Sequence, residues 1–202
     1  FEDDDSAGDI VIGARGYDNL RGRVYLVQGG EGLSSGGVAS VARVIIEGET
    51  AQDELGYHLA VGDVDGDVYA DVAITAYPGT SNSDGRIYLF YGKDLKDAGA
   101  VISAAEAAAT INGVDGQVLG NATIAIGDLD GDGYGDLIAG GYSWDDAANG
   151  YDNAGAVHVF LGSCYGDKRT GNDDSDGVCN DEDLCEGADD AVDRDGDGLS
   201  DG

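Results

Sequence analysis

The sequence predicts an all-β fold in which about three β-propeller blades precede an irregular C-terminal tail. An apolar, strand-like pattern recurs at a spacing of roughly 60 residues, which is typical of a repeat architecture. A complete unit holds four short strand-like runs, the number found in one propeller blade. The apolar pattern stops near residue 163, and acidic residues dominate from there onward. We therefore expect blades in residues 1–163 and a tail without a hydrophobic core in residues 164–202.

Residue 1 already lies within the first repeat unit. Aligned with the later units, it has acidic residues at three positions of the repeated frame, but Phe1 stands at the first position. We therefore expect either an incomplete first site or a truncated N-terminal boundary. Alternating large and small side chains favour half-buried antiparallel strands after it. The acidic residues are Asp3, Asp5 and Asp9, and the strand-like runs are 10–14, 22–27 and 41–46.

The second and third units repeat one order of segments: an apolar run, an acidic loop, an apolar strand, a polar turn and a last strand. The second unit has strand-like runs at 55–62, 72–77, 85–92 and 109–113, and the third at 119–127, 137–141 and 155–162. An alanine-rich stretch at 104–108 predicts a short helical turn between strands. A sandwich of unrelated hairpins is the alternative architecture, but it would not need this periodicity.

The acidic loops carry the clearest functional signal. The frame Asp-x-Asp-Gly-Asp-x-x-x-Asp recurs at 63–71, 128–136 and 193–201. Four carboxylates within nine residues repel one another, so a folded loop holds them together around a cation. Hard oxygen ligands on a flexible backbone suit Ca²⁺ better than zinc or copper. A solvated acidic loop is the alternative. The side chains concerned are Asp63, Asp65, Asp67, Asp71, Asp128, Asp130, Asp132, Asp136, Asp193, Asp195, Asp197 and Asp201.

These loops differ from the EF-hand. An EF-hand places a bidentate Glu at the twelfth position of the loop. Counted from the first aspartate of each frame, that position is Ile74 or Ala139, inside the following strand. The sequence therefore predicts a calcium loop between two strands.

Composition excludes several partners. The chain has 41 acidic and 10 basic residues, for a formal charge of −31. Nucleic acid binding needs a basic face, so nucleic acid and anionic membrane surfaces are excluded as partners. No apolar run is long enough for insertion into a membrane. The hydrophobic content of 42% argues against a disordered acidic chain. Weak calcium loops match the millimolar calcium outside cells, which favours an extracellular or cell-surface location.

The repeated pattern resembles the FG-GAP repeat of integrin alpha-chain β-propellers and their bacterial relatives. Leu55-Gly56 and Leu119-Gly120 stand where that family usually has Phe-Gly, and the acidic frame and the Gly-bounded last strand follow in order. The resemblance covers residues 1–163. It implies calcium in the loop of the first hairpin of each blade, held by the four aspartates and by the backbone carbonyl of Tyr69 or Tyr134. Family propellers normally have seven blades, so we expect a fragment of a larger propeller, with a ring closed by oligomerisation as the alternative.

The tail resembles thrombospondin type 3 calcium repeats. Its 39 positions include 14 acidic and 3 basic residues, and residues 172–185 follow that pattern with Asp174 and Asp176 as ligands. In such repeats metal ions and disulfides replace a hydrophobic core. Cys179 and Cys185 are close enough to pair, which leaves Cys164 odd. A disordered acidic linker is the alternative.

These observations predict a non-catalytic, extracellular calcium-binding module for adhesion, with a protein or carbohydrate ligand. Residues 15–21, 77–85 and 142–153 are the candidate contact segments, and the last contains the single tryptophan, Trp144. A secreted calcium-dependent lyase or hydrolase is one alternative, and a calcium-stiffened surface spacer is another. Against an enzyme, His58 and His158 fall in strand patterns, and the serines fall in polar turns.

Overall fold

The computed structural model describes residues 8–29, 37–77, 84–96, 101–114, 118–143 and 154–162. Within these ranges the chain forms three β-sheets and very little helix. This result confirms the predicted all-β fold, and the three sheets have the form of propeller blades. We number the blades by the order of their acidic loops along the chain.

The first blade is a four-stranded sheet in the order β1-β2-β3-β7. Its first three strands pair antiparallel in chain order, whereas β7 joins the outer edge of β3 in parallel. The edge strand therefore comes from a segment about fifty residues further along the chain, beyond the second blade's third strand. The strands are β1 (Ile10–Ala14), β2 (Arg23–Val27), β3 (Val44–Glu47) and β7 (Val101–Ser103).

The second and third blades are antiparallel. The second has the order β4-β5-β6-β8, and the third has the order β11-β10-β9. In both, the first hairpin closes directly below the acidic loop, where Gly62 pairs with Asp71 and Gly127 pairs with Asp136. The strands are β4 (Leu59–Gly62), β5 (Asp71–Ala76), β6 (Arg86–Phe90), β8 (Ala109–Asn112), β9 (Leu119–Gly127), β10 (Asp136–Gly141) and β11 (Ala156–Phe160).

Some elements differ from their predicted bounds. Strand β3 begins at Val44 rather than at 41, because the N–H groups of Val41 and Ala42 donate to the Val38 carbonyl and so continue the 3-10 turn at Val38–Ser40. The alanine-rich stretch forms the predicted turn as a 3-10 helix, Ala104–Glu106, with a capping box: Ser103 Oγ accepts the N–H of Ala105 and Glu106 accepts the N–H of Ser103. The helix Gly92–Lys96 and strand β7 were not predicted.

The remaining helical segment is a tight turn at Tyr17–Leu20. Asp18, Asn19 and Leu20 all have positive φ there, so the turn is left-handed rather than α-helical. Within the described ranges, no helix is both long enough and apolar enough to cross a membrane.

The core lies in two layers between the three sheets. Alternate residues of β5 face opposite sides: Val72 and Ile74 pack toward the first blade, whereas Ala73 packs toward the third. All three are fully buried. Because the second blade is packed on both faces, the sequence of β5 is mostly apolar rather than alternating.

Glycines set the spacing between neighbouring blades. The Leu-Gly pair of each later blade lies against the blade before it, so that Gly22 bridges to Leu55 and Gly85 contacts Leu119. Gly22 and Gly85 both have positive φ, and a Cβ on either would lie 2.3 Å from a backbone oxygen of the facing leucine. Only glycine permits this approach.

Candidate metal centres

The second-blade loop gathers three carboxylates at the end of the first hairpin. One carboxylate oxygen from each of Asp63, Asp65 and Asp71 lies within 4.8 Å of the others. Gly66 has a φ of +77°, which lets the chain turn back so that the aspartates face inward. Asp65 is 5% exposed and Asp71 is fully buried.

The third-blade loop repeats this arrangement at a more exposed position. Asp128, Asp130 and Asp136 offer oxygens within the same 4.8 Å of one another. Asp136 is fully buried, whereas Asp128 and Asp130 are exposed. Two loops of one sequence frame therefore form the same triplet of oxygen donors in different surroundings.

The first aspartate of each frame fixes the loop by accepting backbone N–H groups. Asp63 accepts from Gly66 at 2.8 Å and from Val68 at 3.0 Å. Asp128 accepts from the equivalent residues Gly131 at 2.7 Å and Gly133 at 3.2 Å. Such contacts are typical of Asx turns, and they hold the carboxylate toward the centre of the loop.

The ninth-position aspartate hydrogen-bonds to the glycine that follows a later β-strand of its blade, β2, β6 or β11. Asp71 accepts the N–H of Val64 and that of Gly92, each at 2.8 Å. Asp136 does the same with Leu129 at 2.7 Å and Gly162 at 2.9 Å. In the first blade, Asp9 accepts the N–H of Gly29 at 2.9 Å. We call this contact between the ninth aspartate and the glycine that follows β2, β6 or β11 the aspartate clasp.

The fifth-position aspartates lie outside the two triplets. Asp67 accepts the N–H of Tyr69 and Asp132 accepts that of Tyr134, both at 2.9 Å. Tyr134 also covers the neighbouring loop, because a Cβ on Gly66 would lie 2.4 Å from the Tyr134 ring. The N–H of Gly135 donates to the Asp63 carbonyl at 2.7 Å. The third-blade loop thus lies on the second-blade loop and shields it from solvent.

Burial makes the ionised forms of the second-blade carboxylates unfavourable unless positive charge lies close to them. Burial raises the pKa of Asp71 to about 7, although the N–H groups of Val64 and Gly92 oppose the shift. Burial and the charge of Asp67 raise the pKa of Asp65. In the third blade, desolvation followed by the charge of Asp132 raises the pKa of Asp130, against the Asp132 N–H hydrogen bond. Crowded carboxylate oxygens without enough positive charge fit a hard divalent ion such as calcium.

One lysine is already present beside the second-blade loop. Lys93 Nζ lies 3.5 Å from Asp65 Oδ2 and 3.4 Å from Asp67 Oδ2. Desolvation lowers its pKa, but the charges of Asp65 and Asp67 outweigh this effect and raise it. Sequence reasoning missed this contact, since Lys93 lies 22 residues beyond Asp71 and only the aspartate clasp at Gly92 brings it back to the loop.

The other predicted ligands lie outside the described residues. These are Asp3 and Asp5 of the first frame and all predicted ligands of the tail, namely Asp174, Asp176, Asp193, Asp195, Asp197 and Asp201. The three cysteines and Trp144 also lie outside the described residues, as does the boundary proposed at 163/164.

Both histidines have structural contacts. His58 Nε2 lies 3.0 Å from the carbonyl of Asn121, across the junction between the second and third blades. The His158 ring stacks on Phe160 with a centroid distance of 6.4 Å. His58 immediately precedes β4, and His158 lies within β11. Their contacts are those of blade packing.

Stacked, mainly antiparallel blades, two of which have an acidic loop in the first hairpin, define a class: proteins built from β-propeller repeats. The sequence model of the FG-GAP repeat matches residues 55–90 and 120–160. These two matches cover β4, β5 and β6 of the second blade and nearly all of the third, and they include both donor triplets. No curated protein matches the chain.

Proposed function

We propose that this chain is an extracellular, non-catalytic interaction module in which calcium ions brace the first hairpin of its blades. The observation that carries the proposal is the repetition of one donor triplet, Asp63-Asp65-Asp71 and Asp128-Asp130-Asp136, in two FG-GAP repeats. A triplet that recurs with the same local hydrogen bonds in two blades is a built feature of the fold rather than a chance group of acids.

Calcium would act here as a structural ion. The residues that would hold it are the three aspartates of each triplet, with Asp67 or Asp132 and the carbonyl of Tyr69 or Tyr134 completing the shell. When bound, the ion supplies the positive charge that the buried carboxylates lack. It would fix the loop joining the first two strands and would leave the other loops free to contact a ligand.

The proposed ligand is a protein or carbohydrate on a cell surface or in the matrix. Among the candidate contact segments, residues 15–21 are described. Arg15 lies 4.8 Å from the centre of the Tyr57 ring and pairs with Glu54 at 2.9 Å, while Tyr17 and Leu20 are about 40% exposed. Exposed aromatic and aliphatic side chains beside an arginine are the composition that recognition surfaces favour.

The tail is proposed to be a separate calcium-ordered segment beginning at residue 164, with thrombospondin type 3-like repeats. Its acidic sequence supports this division, since 14 carboxylates among 39 residues would repel one another without bound cations. Secretion is consistent with both parts, because weak oxygen-only loops fill at extracellular calcium concentrations.

Calcium titration of the full chain tests the proposal. Isothermal calorimetry should give at least two sites, and circular dichroism should show a more stable β signal with calcium than with EGTA. Limited proteolysis with and without calcium should show protection of residues 164–202. The matched variant pair Asp130→Asn and Asp84→Asn separates site loss from charge loss, since Asp84 lies outside both loops. No binding at millimolar calcium would overturn the proposal.

A further inference from the structure

The two acidic loops share one sequence frame, but the residue after the glycine of the aspartate clasp differs between their blades. In the second blade, the residue after the glycine of the aspartate clasp is Lys93. The corresponding residue is Ser163 in the third blade and Gly30 in the first. Among the residues that the structure describes, no lysine or arginine forms an ion pair with an aspartate of the third-blade loop.

The position of Lys93 follows from the fold. Asp71 holds the N–H of Gly92, so the helix Gly92–Lys96 begins directly beside the acidic loop. From there the Lys93 ammonium group reaches Asp65, whose side chain is 2% exposed, and Asp67, whose side chain is 17% exposed. The lysine side chain itself is 39% exposed, so it can leave the loop for solvent without disturbing the blade core.

The geometry points to Lys93 as a tethered counter-ion that occupies the second-blade loop without calcium and is displaced when calcium binds. This inference rests on the proposed calcium function. Asp65 Oδ2, which the ammonium group approaches, belongs to the carboxylate that also contributes to the donor triplet. Lysine and calcium therefore compete for the same carboxylate.

Two consequences follow for the pair of loops. The second-blade loop keeps part of its charge balance without calcium, and it binds calcium more weakly because the lysine must be removed first. The third-blade loop has no such competitor among the described residues, and its more exposed carboxylates fill at lower calcium. The lysine thus sets an order in which the two loops fill.

Backbone amides give a separate signal for each loop. Gly66 and Gly131 donate to the first aspartate of their frames at 2.8 and 2.7 Å, so their ¹H–¹⁵N shifts report the two loops within one full-length protein. The test is a CaCl₂ titration of the wild-type chain, Lys93→Gln, Lys93→Arg and Lys96→Gln. The last variant removes the same charge from the same helix. Urea unfolding in EGTA gives the calcium-free stability of each protein.

In the wild type, Gly131 should respond at lower calcium than Gly66. Lys93→Gln should shift the Gly66 midpoint to lower calcium by on the order of fivefold, leave Gly131 unchanged and lower the urea midpoint in EGTA. Lys93→Arg and Lys96→Gln should keep the wild-type Gly66 midpoint. If Lys93→Gln does not fold in EGTA, the titration is run downward from the calcium-loaded protein.

The possible failures are distinct. If both glycines respond to calcium but Lys93→Gln keeps the wild-type Gly66 midpoint and the wild-type urea midpoint in EGTA, the counter-ion role is wrong. The proposed calcium sites are then retained. If Lys96→Gln reproduces the effect of Lys93→Gln, the effect is one of net charge and the inference also fails. If neither glycine responds in any variant, the calcium function is wrong and this inference falls with it.

Discussion

The carboxylate of Asp71 accepts the backbone N–H of Gly92 at 2.8 Å, joining an acidic loop to a residue 21 positions further along the chain. The same carboxylate contributes an oxygen to the donor triplet of the second blade. One side chain therefore belongs both to the scaffold and to the candidate metal centre. The clasp recurs between Asp136 and Gly162, and the Asp9–Gly29 contact extends it to the first blade.

Replacing Asp71 by alanine should destabilise the protein even without calcium. The substitution leaves the N–H groups of Val64 and Gly92 buried and unpaired, which costs about 2–4 kcal/mol in the free energy of unfolding. Urea unfolding in EGTA measures this loss. Asp130→Ala is the control, since Asp130 is an exposed member of the equivalent triplet and accepts the N–H of Asp132 at 3.2 Å. Equal losses in the two variants would contradict the structural role of the clasp.

Removing calcium should lower thermal stability by an amount that depends on the number of intact triplets. A ligand at one hundred times its Kd stabilises the folded state by about 2.7 kcal/mol per site. Asp130→Asn should remove the contribution of one site and leave the Tm in EGTA close to that of the wild type, because it also relieves repulsion with Asp132. Differential scanning calorimetry over a series of free calcium concentrations measures both effects. An unchanged calcium dependence in Asp130→Asn would contradict a site at the third-blade loop.

The fold and the aspartates of the loops could be predicted because both depend on local sequence. A run of apolar residues defines strand β2, whose last four residues are all buried rather than half-buried as the sequence predicted. The Asp-x-Asp-Gly-Asp frame places three carboxylates within one short loop. The loop geometry around Gly66 also follows from the positive φ that glycine allows. Repetition strengthened each of these predictions, since one pattern appeared in three places.

The features that were missed depend on contacts between distant segments. Strand β7 is three residues long and pairs with β3, which lies about fifty residues earlier in the chain, so its own sequence carries no signal for that pairing. The burial of Asp65 arises because the next loop lies over its own, with Tyr134 against Gly66. Lys93 reaches the loop only through the clasp at Gly92. In each case the neighbour is decided by how the blades pack.

Substituting Gly85 by alanine should destabilise the junction between the second and third blades. Gly85 has a φ of +74°, and a Cβ there would lie 2.3 Å from the Leu119 carbonyl oxygen. The strained backbone and the clash together should cost about 2–4 kcal/mol. Chemical denaturation with calcium present measures the loss. Gly127→Ala is the matched control, because a Cβ at that position would meet nothing within 4 Å and its φ is not positive. If Gly127→Ala loses as much unfolding free energy as Gly85→Ala, the junction geometry is not the cause.

Stability should fall above pH 10 because of one buried phenol. Tyr88 is 1% exposed, donates to Glu49 at 2.6 Å and accepts from Arg86 at 2.8 Å. Burial, followed by the hydrogen bond to Glu49, raises the pKa of Tyr88 to about 12. A tyrosine in the unfolded chain titrates near pH 10. Between about pH 10 and about pH 12 the unfolded state has released this proton while the folded state still holds it, so the free energy of unfolding falls as the pH rises through this range.

Tyr88→Phe tests this alkaline transition. The variant should be less stable than the wild type at pH 8, because Glu49 and Arg86 lose a hydrogen-bond partner, but its stability should depend less on pH between 10 and 12. Urea unfolding across this range, with phenolate absorbance recorded in parallel, measures both quantities. Tyr142→Phe is the control, since Tyr142 is 52% exposed and should leave the alkaline loss unchanged. If Tyr88→Phe and the wild type lose stability in parallel above pH 10, the buried phenol is not the group responsible.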